Sequence, residues 1–175
     1  MLHFFVLQVM PMTPKHYNAL FLCTGNSARS IMAEAIMKKK GFPMFTAYSA
    51  GSHPKGVVHP AALHQIATSG LPAGNFRSKD WAEFAAPGAP KLDFVFTVCD
   101  SAAKEVCPVW PGQPMTAHWG VPDPAAAEGT PEQIEKAFRE AFITLDRRIG
   151  LFLCLPFSSL DALAIKKEIE RIGHE

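Results

Sequence analysis

The sequence predicts an α/β fold, a three-layer sandwich with a central four-stranded parallel sheet. Short apolar runs alternate with longer segments of helical periodicity along the 175 residues. This alternation is typical of parallel strands joined by crossover helices. Hydrophobic residues make up 48% of the chain, which is enough for one core of ordinary size. We therefore expect one domain over residues 17–175, preceded by an extension over residues 1–16.

Four apolar runs are the strand candidates. They cover residues 19–23, 45–50, 92–98 and 115–119. The third run reads Leu-Asp-Phe-Val-Phe-Thr-Val and is apolar on both faces, as a central strand of a parallel sheet must be. We therefore expect it in the middle of the sheet.

Four segments show helical periodicity. They cover residues 27–40, 60–69, 131–155 and 160–172. In the third segment Phe138, Leu145 and Phe152 recur at helical spacing. Pro131 suits the first turn of this helix, and Pro156 should end it. The fourth segment is expected to close the domain.

The beginning of the chain is apolar but lacks the marks of a secretory signal. Residues 1–12 carry no basic region and no small-residue cleavage site, and they are too short to span a bilayer. Met10 or Met12 could be the natural start, and the alternatives are an extra strand or a disordered arm. Without an export signal we expect a cytoplasmic protein, in which the four cysteines are thiols, transient disulfides or metal ligands.

Charge gives no support to a nucleic-acid or membrane-surface partner. The net charge is +1, and the basic residues are scattered apart from one run at residues 38–40. No pair among the seven histidines has zinc-like spacing with cysteine, so no metal is expected. A monomer is the expected state.

A polar run separates the first strand from the first helix. It reads Cys23-Thr24-Gly25-Asn26-Ser27-Ala28-Arg29-Ser30. A loop of this length lets successive N–H groups converge at a helix N-terminus, where the dipole favours an anion. Arg29 adds a forked positive charge, and the donors that hold an oxyanion also stabilise a thiolate. We predict that Cys23 is a nucleophile with Ser30 beside its sulfur, and that residues 24–29 bind the anion.

Attack by a thiolate on a tetrahedral oxyanion needs an acid for the departing oxygen. Asp123 is the candidate, because Pro122 and Pro124 stiffen the turn that carries it. The turn also follows a predicted strand, so it should meet the Cys23 loop at one edge of the sheet. The alternative is an ordinary turn aspartate.

Cys99 and Cys107 flank a polar segment after the central strand. At opposite ends of a short helix they would be about 12 Å apart, beyond the disulfide limit of about 7 Å between Cα atoms. A disulfide between them would therefore require the segment to unwind. Such a change could serve as a redox switch coupled to Cys23. The alternative is two buried, inert thiols. Cys154 lies in an apolar run and is expected to pack in the core.

Several of these motifs together resemble the low-molecular-weight protein tyrosine phosphatase fold and, within it, the arsenate reductases. The resemblance covers about residues 19–155. It is carried by residues 18–30, by Met32-Ala33-Glu34-Ala35, by Ser49-Ala50-Gly51 and by Asp123-Pro124.

Three features favour the reductase branch. Asp123-Pro124 is followed by three alanines, where the phosphatases usually carry aromatic residues. Thr24 and Ser27-Ala28 resemble the reductases' loop. Thr97-Val98-Cys99 with Cys107-Pro108 resembles their resolving-cysteine segment.

The resemblance implies that Cys23 attacks arsenate, that Arg29 and the loop amides hold its oxygens, and that Asp123 protonates the leaving oxygen. Cys99 would then displace arsenite, and Cys107 would resolve the disulfide for thioredoxin; some relatives use a small thiol such as glutathione, or glutaredoxin. No bound cofactor is implied. Phosphomonoester hydrolysis is the alternative function, and sensing of the anion without turnover is a third.

Some reductases of this family hold a monovalent cation. The residues of this sequence that match its ligands are Asn26, Glu34 and Ser49. Lys79 falls near the place of a further oxygen ligand, so the resemblance is incomplete at this site.

Overall fold

The protein folds around one parallel sheet. The computed structural model describes residues 15–175, so the predicted extension, with Met10 and Met12, lies almost wholly outside the described residues. The strands are β1 (Tyr17–Cys23), β2 (Phe45–Gly51), β3 (Phe94–Thr97) and β4 (Met115–His118). They pair in parallel in the order β2-β1-β3-β4, which confirms the predicted four-stranded sheet and the central place of the third strand.

In the described part of the chain, five α-helices and two short 3-10 helices connect and cover these strands. The α-helices are α1 (Arg29–Lys40), α2 (Pro60–Thr68), α3 (Asp100–Lys104), α4 (Pro131–Leu153) and α5 (Ala162–Ile172). The 3-10 helices are Trp81–Phe84 and Pro124–Ala126. Within residues 15–175, no helix combines the length and apolar character that a membrane crossing requires.

The sheet separates two apolar clusters, because side chains of a strand alternate between its faces. Phe21 and Cys23 of β1 belong to the larger cluster, which the long helices α1, α4 and α5 cover. Leu20 and Leu22 belong to the smaller cluster, under the 3-10 helix Trp81–Phe84 and Trp110. The cysteine that ends β1 therefore faces the helix layer.

Four helix boundaries differ from the prediction. α2 ends at Thr68 rather than at residue 69, and α5 begins at Ala162 rather than at residue 160. α1 begins at Arg29 rather than at residue 27, because Ser27 and Ala28 remain in the preceding loop. α4 ends at Leu153, and Cys154 caps it in an exposed position. The expected core packing of Cys154 is therefore wrong. Two residues along a helix rotate the side chain by about 200°, so Cys154 points away from buried Phe152.

α3 is shorter than a helix joining Cys99 to Cys107 would be. It ends at Lys104, and Glu105 is already extended, with φ −80° and ψ 151°. Pro108 accounts for part of this difference, because a proline disfavours helical backbone in the residue before it. Cys107 therefore follows the helix on an extended segment.

Candidate active site

The loop after β1 is held by its carbonyl groups. The carbonyls of Thr24 and Gly25 accept hydrogen bonds from the amides of His53 and Lys55, each at 2.9 Å. Among the described residues, no amide from Gly25 to Ser30 donates to a backbone carbonyl. These donors are thus available to an oxyanion at the N-terminus of α1. We call residues 23–30 the anion loop.

Cys23 is 3% exposed at the base of this loop. Its Sγ lies 2.9 Å from Ser30 Oγ. Asn26 Nδ2 donates to the same Ser30 oxygen at 2.9 Å, which leaves the hydroxyl proton of Ser30 free to be donated to the sulfur. Ser30 and Asn26 thus link the sulfur of Cys23 to the interior of the loop.

Asn26 supports the unusual backbone of the loop. Its φ is 39°, in the left-handed region that asparagine tolerates better than most residues. Its Oδ1 accepts from the amide of Lys79 at 2.8 Å, and its Nδ2 also donates to Ser49 Oγ at 3.0 Å. The side chain therefore fixes the loop from inside the protein.

Gly51, at the end of β2, allows the loop to approach the sheet. A Cβ there would lie 2.4 Å from the carbonyl oxygen of Thr24 and 2.9 Å from the amide nitrogen of Asn26. We expect Gly51→Ala to displace the loop and destabilise the protein by about 1–3 kcal/mol. Urea unfolding measures the loss of stability. The displacement of the loop is measured by how strongly inorganic phosphate inhibits hydrolysis of an aryl phosphate.

Gly150→Ala is the matched control for Gly51→Ala. A Cβ at Gly150, within α4, meets nothing within 4 Å. The exchange should stabilise the helix by about 0.5–1 kcal/mol and leave phosphate inhibition unchanged. Equal phosphate inhibition of Gly51→Ala and the unchanged protein would contradict the role given to Gly51.

The residues matching the family's cation ligands are already saturated by internal donors. Ser49 Oγ donates to Glu34 Oε2, and Lys38 Nζ donates to Glu34 Oε1. Lys79, whose side chain is 9% exposed, places Nζ 3.8 Å from Glu34 Oε2. Burial lowers the pKa of Lys79, and the charge of Glu34 opposes that shift. An ammonium group therefore stands among these oxygens, and the donor set does not fit a bound monovalent cation.

Asp123 reaches the anion loop through Arg29. Arg29 Nη2 lies 3.3 Å from Asp123 Oδ2, and Arg29 Nη1 donates to the carbonyl of Val121 at 2.9 Å. Buried Arg148 donates to the neighbouring carbonyl of Gly120 at 3.0 Å. Two arginines thus fix the turn that carries Asp123.

A cavity of about 280 Å³ opens above Cys23. It is lined by Cys23, Thr24, Gly25, Ser27, Ala28, Arg29, His53, Lys55, Ser101, Asp123 and Ala125. His53, Lys55 and Ser101 were not predicted. The first two follow the carboxyl end of β2, and the strand-end rule that located the other loops could have found them.

Cys99 lies next to the anion loop. It is 2% exposed, and its Sγ is 3.7 Å from Thr24 Oγ1. The amide of Ala102 donates to the same sulfur at 3.4 Å, so Cys99 caps α3 with its side chain. A second buried thiol thus lies beside Thr24 of the anion loop.

Cys107 is not brought to the anion loop. It packs against the smaller apolar cluster and lines a separate cavity of about 480 Å³ with Trp110 and His118. Cys99 belongs to the larger cluster, on the other side of the sheet. Burial, followed by the charge of Glu105, raises the pKa of the Cys107 thiol.

Comparison with known proteins agrees with this geometry. The family model "Low molecular weight phosphotyrosine protein phosphatase" matches residues 18–168. A protein of Halalkalibacterium halodurans named arsenate reductase is 39% identical over 132 residues, which are 75% of this chain and 91% of that protein.

Solved structures share the fold. An arsenate reductase in a phosphate-binding state superposes with a TM-score of 0.61 at 24% identity, covering 78% of this chain and 96% of its own. A thioredoxin-dependent arsenate reductase of Corynebacterium glutamicum superposes with a TM-score of 0.54 at 23% identity, covering 78% of this chain and 63% of its own. With the family model matched over most of its length, this chain belongs to the low molecular weight phosphotyrosine protein phosphatase family.

Proposed function

We propose that this enzyme reduces arsenate to arsenite through a relay of three cysteines. The observation that carries the proposal is the position of Cys99, a second buried thiol 3.7 Å from a hydroxyl of the anion loop. Hydrolysis of a phosphomonoester needs only one thiol nucleophile. The name of the relative from Halalkalibacterium halodurans supports the same substrate.

In the first step the Cys23 thiolate attacks arsenate. A bond from sulfur to arsenic forms, and one arsenic–oxygen bond breaks. Arg29 and the loop amides stabilise the charge on the remaining oxygens. The hydroxyl that departs leaves as water with a proton from Asp123, which lies on the cavity wall.

In the second step the Cys99 thiolate attacks Cys23 Sγ. A disulfide forms, the sulfur–arsenic bond breaks, and its electron pair stays on arsenic, which leaves as arsenite. Cys107 then attacks Cys99, and the Cys23 thiolate is released. An external dithiol such as thioredoxin reduces the Cys99–Cys107 disulfide; glutathione or glutaredoxin is the alternative donor.

The last transfer requires the segment after Cys99 to rearrange, because Cys107 packs against the smaller apolar cluster. α3 contains five residues, so few helical hydrogen bonds oppose this change. Segments with few backbone hydrogen bonds open most readily in folded proteins.

Cysteine variants test the relay. With arsenate, thioredoxin, thioredoxin reductase and NADPH, we expect Cys107→Ser to give a burst of about one arsenite per chain and then stop. Cys99→Ser should give no arsenite. Both variants should retain hydrolysis of an aryl phosphate, because Cys23, Arg29 and Asp123 remain.

Cys154→Ser is the matched control, since Cys154 is exposed and does not line the cavity. It should keep steady turnover. Steady arsenite production by Cys99→Ser or Cys107→Ser would contradict the relay. If the unchanged protein reduces arsenate only when glutaredoxin is added, its electron donor is not thioredoxin.

Phosphomonoester hydrolysis is the second candidate, because Cys23, Arg29 and Asp123 already line one cavity. No phenylalanine, tyrosine or tryptophan is among the described residues that line it, so a phosphotyrosine ring would find little to stack on. Efficient phosphate release without arsenate-dependent NADPH consumption would favour this candidate.

A further inference from the structure

Glu105 ties the segment that carries the two relay cysteines to the anion loop. It follows α3, and its Oε1 accepts a hydrogen bond from Thr24 Oγ1 at 3.2 Å. Its side chain is 25% exposed. At the other end of α3, His118 Nε2 lies 3.0 Å from Asp100 Oδ1. Two carboxylates, one at each end, thus hold this short segment.

The Glu105 carboxylate lies where an oxyanion bound in the anion loop would repel it. Arg29 and Lys55 make the cavity cationic, and Asp123 is paired with Arg29. Within the described part of the chain, the ion-pair partner of Glu105 is His53 alone, at 4.0 Å and charged only when protonated. A doubly charged anion bound in the loop would therefore repel this carboxylate.

Thr24 provides a second route, besides repulsion by the anion, by which Glu105 would be released. Its hydroxyl has one proton, which it donates to Glu105. The same oxygen lies 3.7 Å from Cys99 Sγ. When Cys99 becomes the attacking thiolate, this proton is drawn towards sulfur, and Glu105 loses its hydrogen bond.

Cys107 lies two residues beyond Glu105. While Glu105 is held at Thr24, Cys107 stays packed beside Trp110 and the smaller cluster. Release of the carboxylate would free the chain between α3 and Cys107.

We propose that Glu105 is a positioning residue that holds Cys107 away from the relay until an oxyanion occupies the anion loop. This role rests on the proposed relay and accounts for the order of its steps. An empty loop keeps Cys107 docked, so that Cys107 can approach Cys99 only after the oxidant, arsenate, has entered the anion loop.

Alkylation of Cys107 in the full chain tests this role without any turnover. Inorganic phosphate binds the loop but is not reduced, and sodium chloride of equal ionic strength is the salt control. We expect phosphate to raise the rate of iodoacetamide labelling at Cys107 about tenfold, the worth of one hydrogen bond to a charged group. Peptide mass spectrometry separates Cys107 from the other thiols.

Glu105→Gln keeps the shape of the side chain and removes its charge. Without phosphate, iodoacetamide should label Cys107 of this variant about tenfold faster than Cys107 of the unchanged protein. Added phosphate should increase the labelling rate of the variant only a little. Glu135→Gln, an exposed glutamate on α4, removes the same charge elsewhere and should behave as the unchanged protein.

Hydrogen exchange over residues 100–107 gives a second readout in the unchanged protein. Because amide exchange reports opening of the segment and not the ionisation of the thiol, phosphate should accelerate it if Glu105 is released. This measurement stands even if Glu105→Gln fails to fold.

If phosphate protects Cys23 from labelling and yet changes neither the labelling of Cys107 nor the hydrogen exchange of residues 100–107, the proposal is overturned. Phosphate that fails to protect Cys23 would overturn the anion site as well. A phosphate-responsive Cys107 with no arsenate reduction would contradict the relay and still support the role of Glu105.

Discussion

Replacing Cys23 with serine is expected to abolish both arsenate reduction and aryl phosphate hydrolysis, by about 10⁴-fold or more in kcat. Cys23 is the only thiol at the base of the anion cavity among the described residues. A serine hydroxyl at the same place ionises far less readily than a thiol and is the weaker nucleophile. The fold should be unaffected, since the exchange changes one atom.

Steady-state assays with both substrates measure this loss, and circular dichroism checks the fold. Phosphate binding by calorimetry separates the anion site from the chemistry, because the loop amides and Arg29 remain. Reduction of arsenate by Cys23→Ser at more than about a hundredth of the original rate would contradict the role of Cys23 as nucleophile.

Asp123→Asn should lower kcat for both substrates by about 10²–10⁴-fold, the usual contribution of a positioned general acid. An asparagine oxygen can still accept the hydrogen bond that Asp123 Oδ1 receives from the amide of Ala125 at 3.2 Å. The turn should therefore keep its shape while the acidic proton is lost. Because Asp123 is 42% exposed, its ion pair with Arg29 should affect stability by no more than about 1 kcal/mol.

Aryl phosphates of different leaving-group pKa measure the role of Asp123 directly. An activated phenolate leaves without help, so the loss should be smallest for the most acidic phenol. Asp161→Asn is the matched control, because Asp161 caps α5 and asparagine caps as well. An equal loss with every leaving group would argue against Asp123 as the acid.

The parts of the molecule with strong local patterns could be predicted from the sequence. β3 is apolar on both faces and lies centrally in the sheet, and the anion loop stands where a strand meets a helix. Asp123 could be placed near that loop because parallel strands end at the same edge of the sheet.

The features that the sequence missed depend on contacts between distant segments. Glu105 contacts Thr24, which is 81 positions away, and no periodicity marks such a pair. Cys154 has apolar neighbours in the sequence and was expected in the core. Its rotation away from Phe152 at the end of α4 leaves it exposed instead. The short length of α3 follows in part from the packing of Cys107 against the smaller apolar cluster, which apolar spacing does not predict.

The place of β1 in the sheet has a consequence for synthesis on the ribosome. β1 is the first strand among residues 15–175, yet it is central and pairs with β2 and β3, which emerge later. The edge of β1 that pairs with β3 therefore stays without a partner until about residue 97 has left the exit tunnel. The anion loop also depends on amides at His53 and Lys55, so the nascent chain cannot assemble this loop around Cys23 before residue 55 has been made.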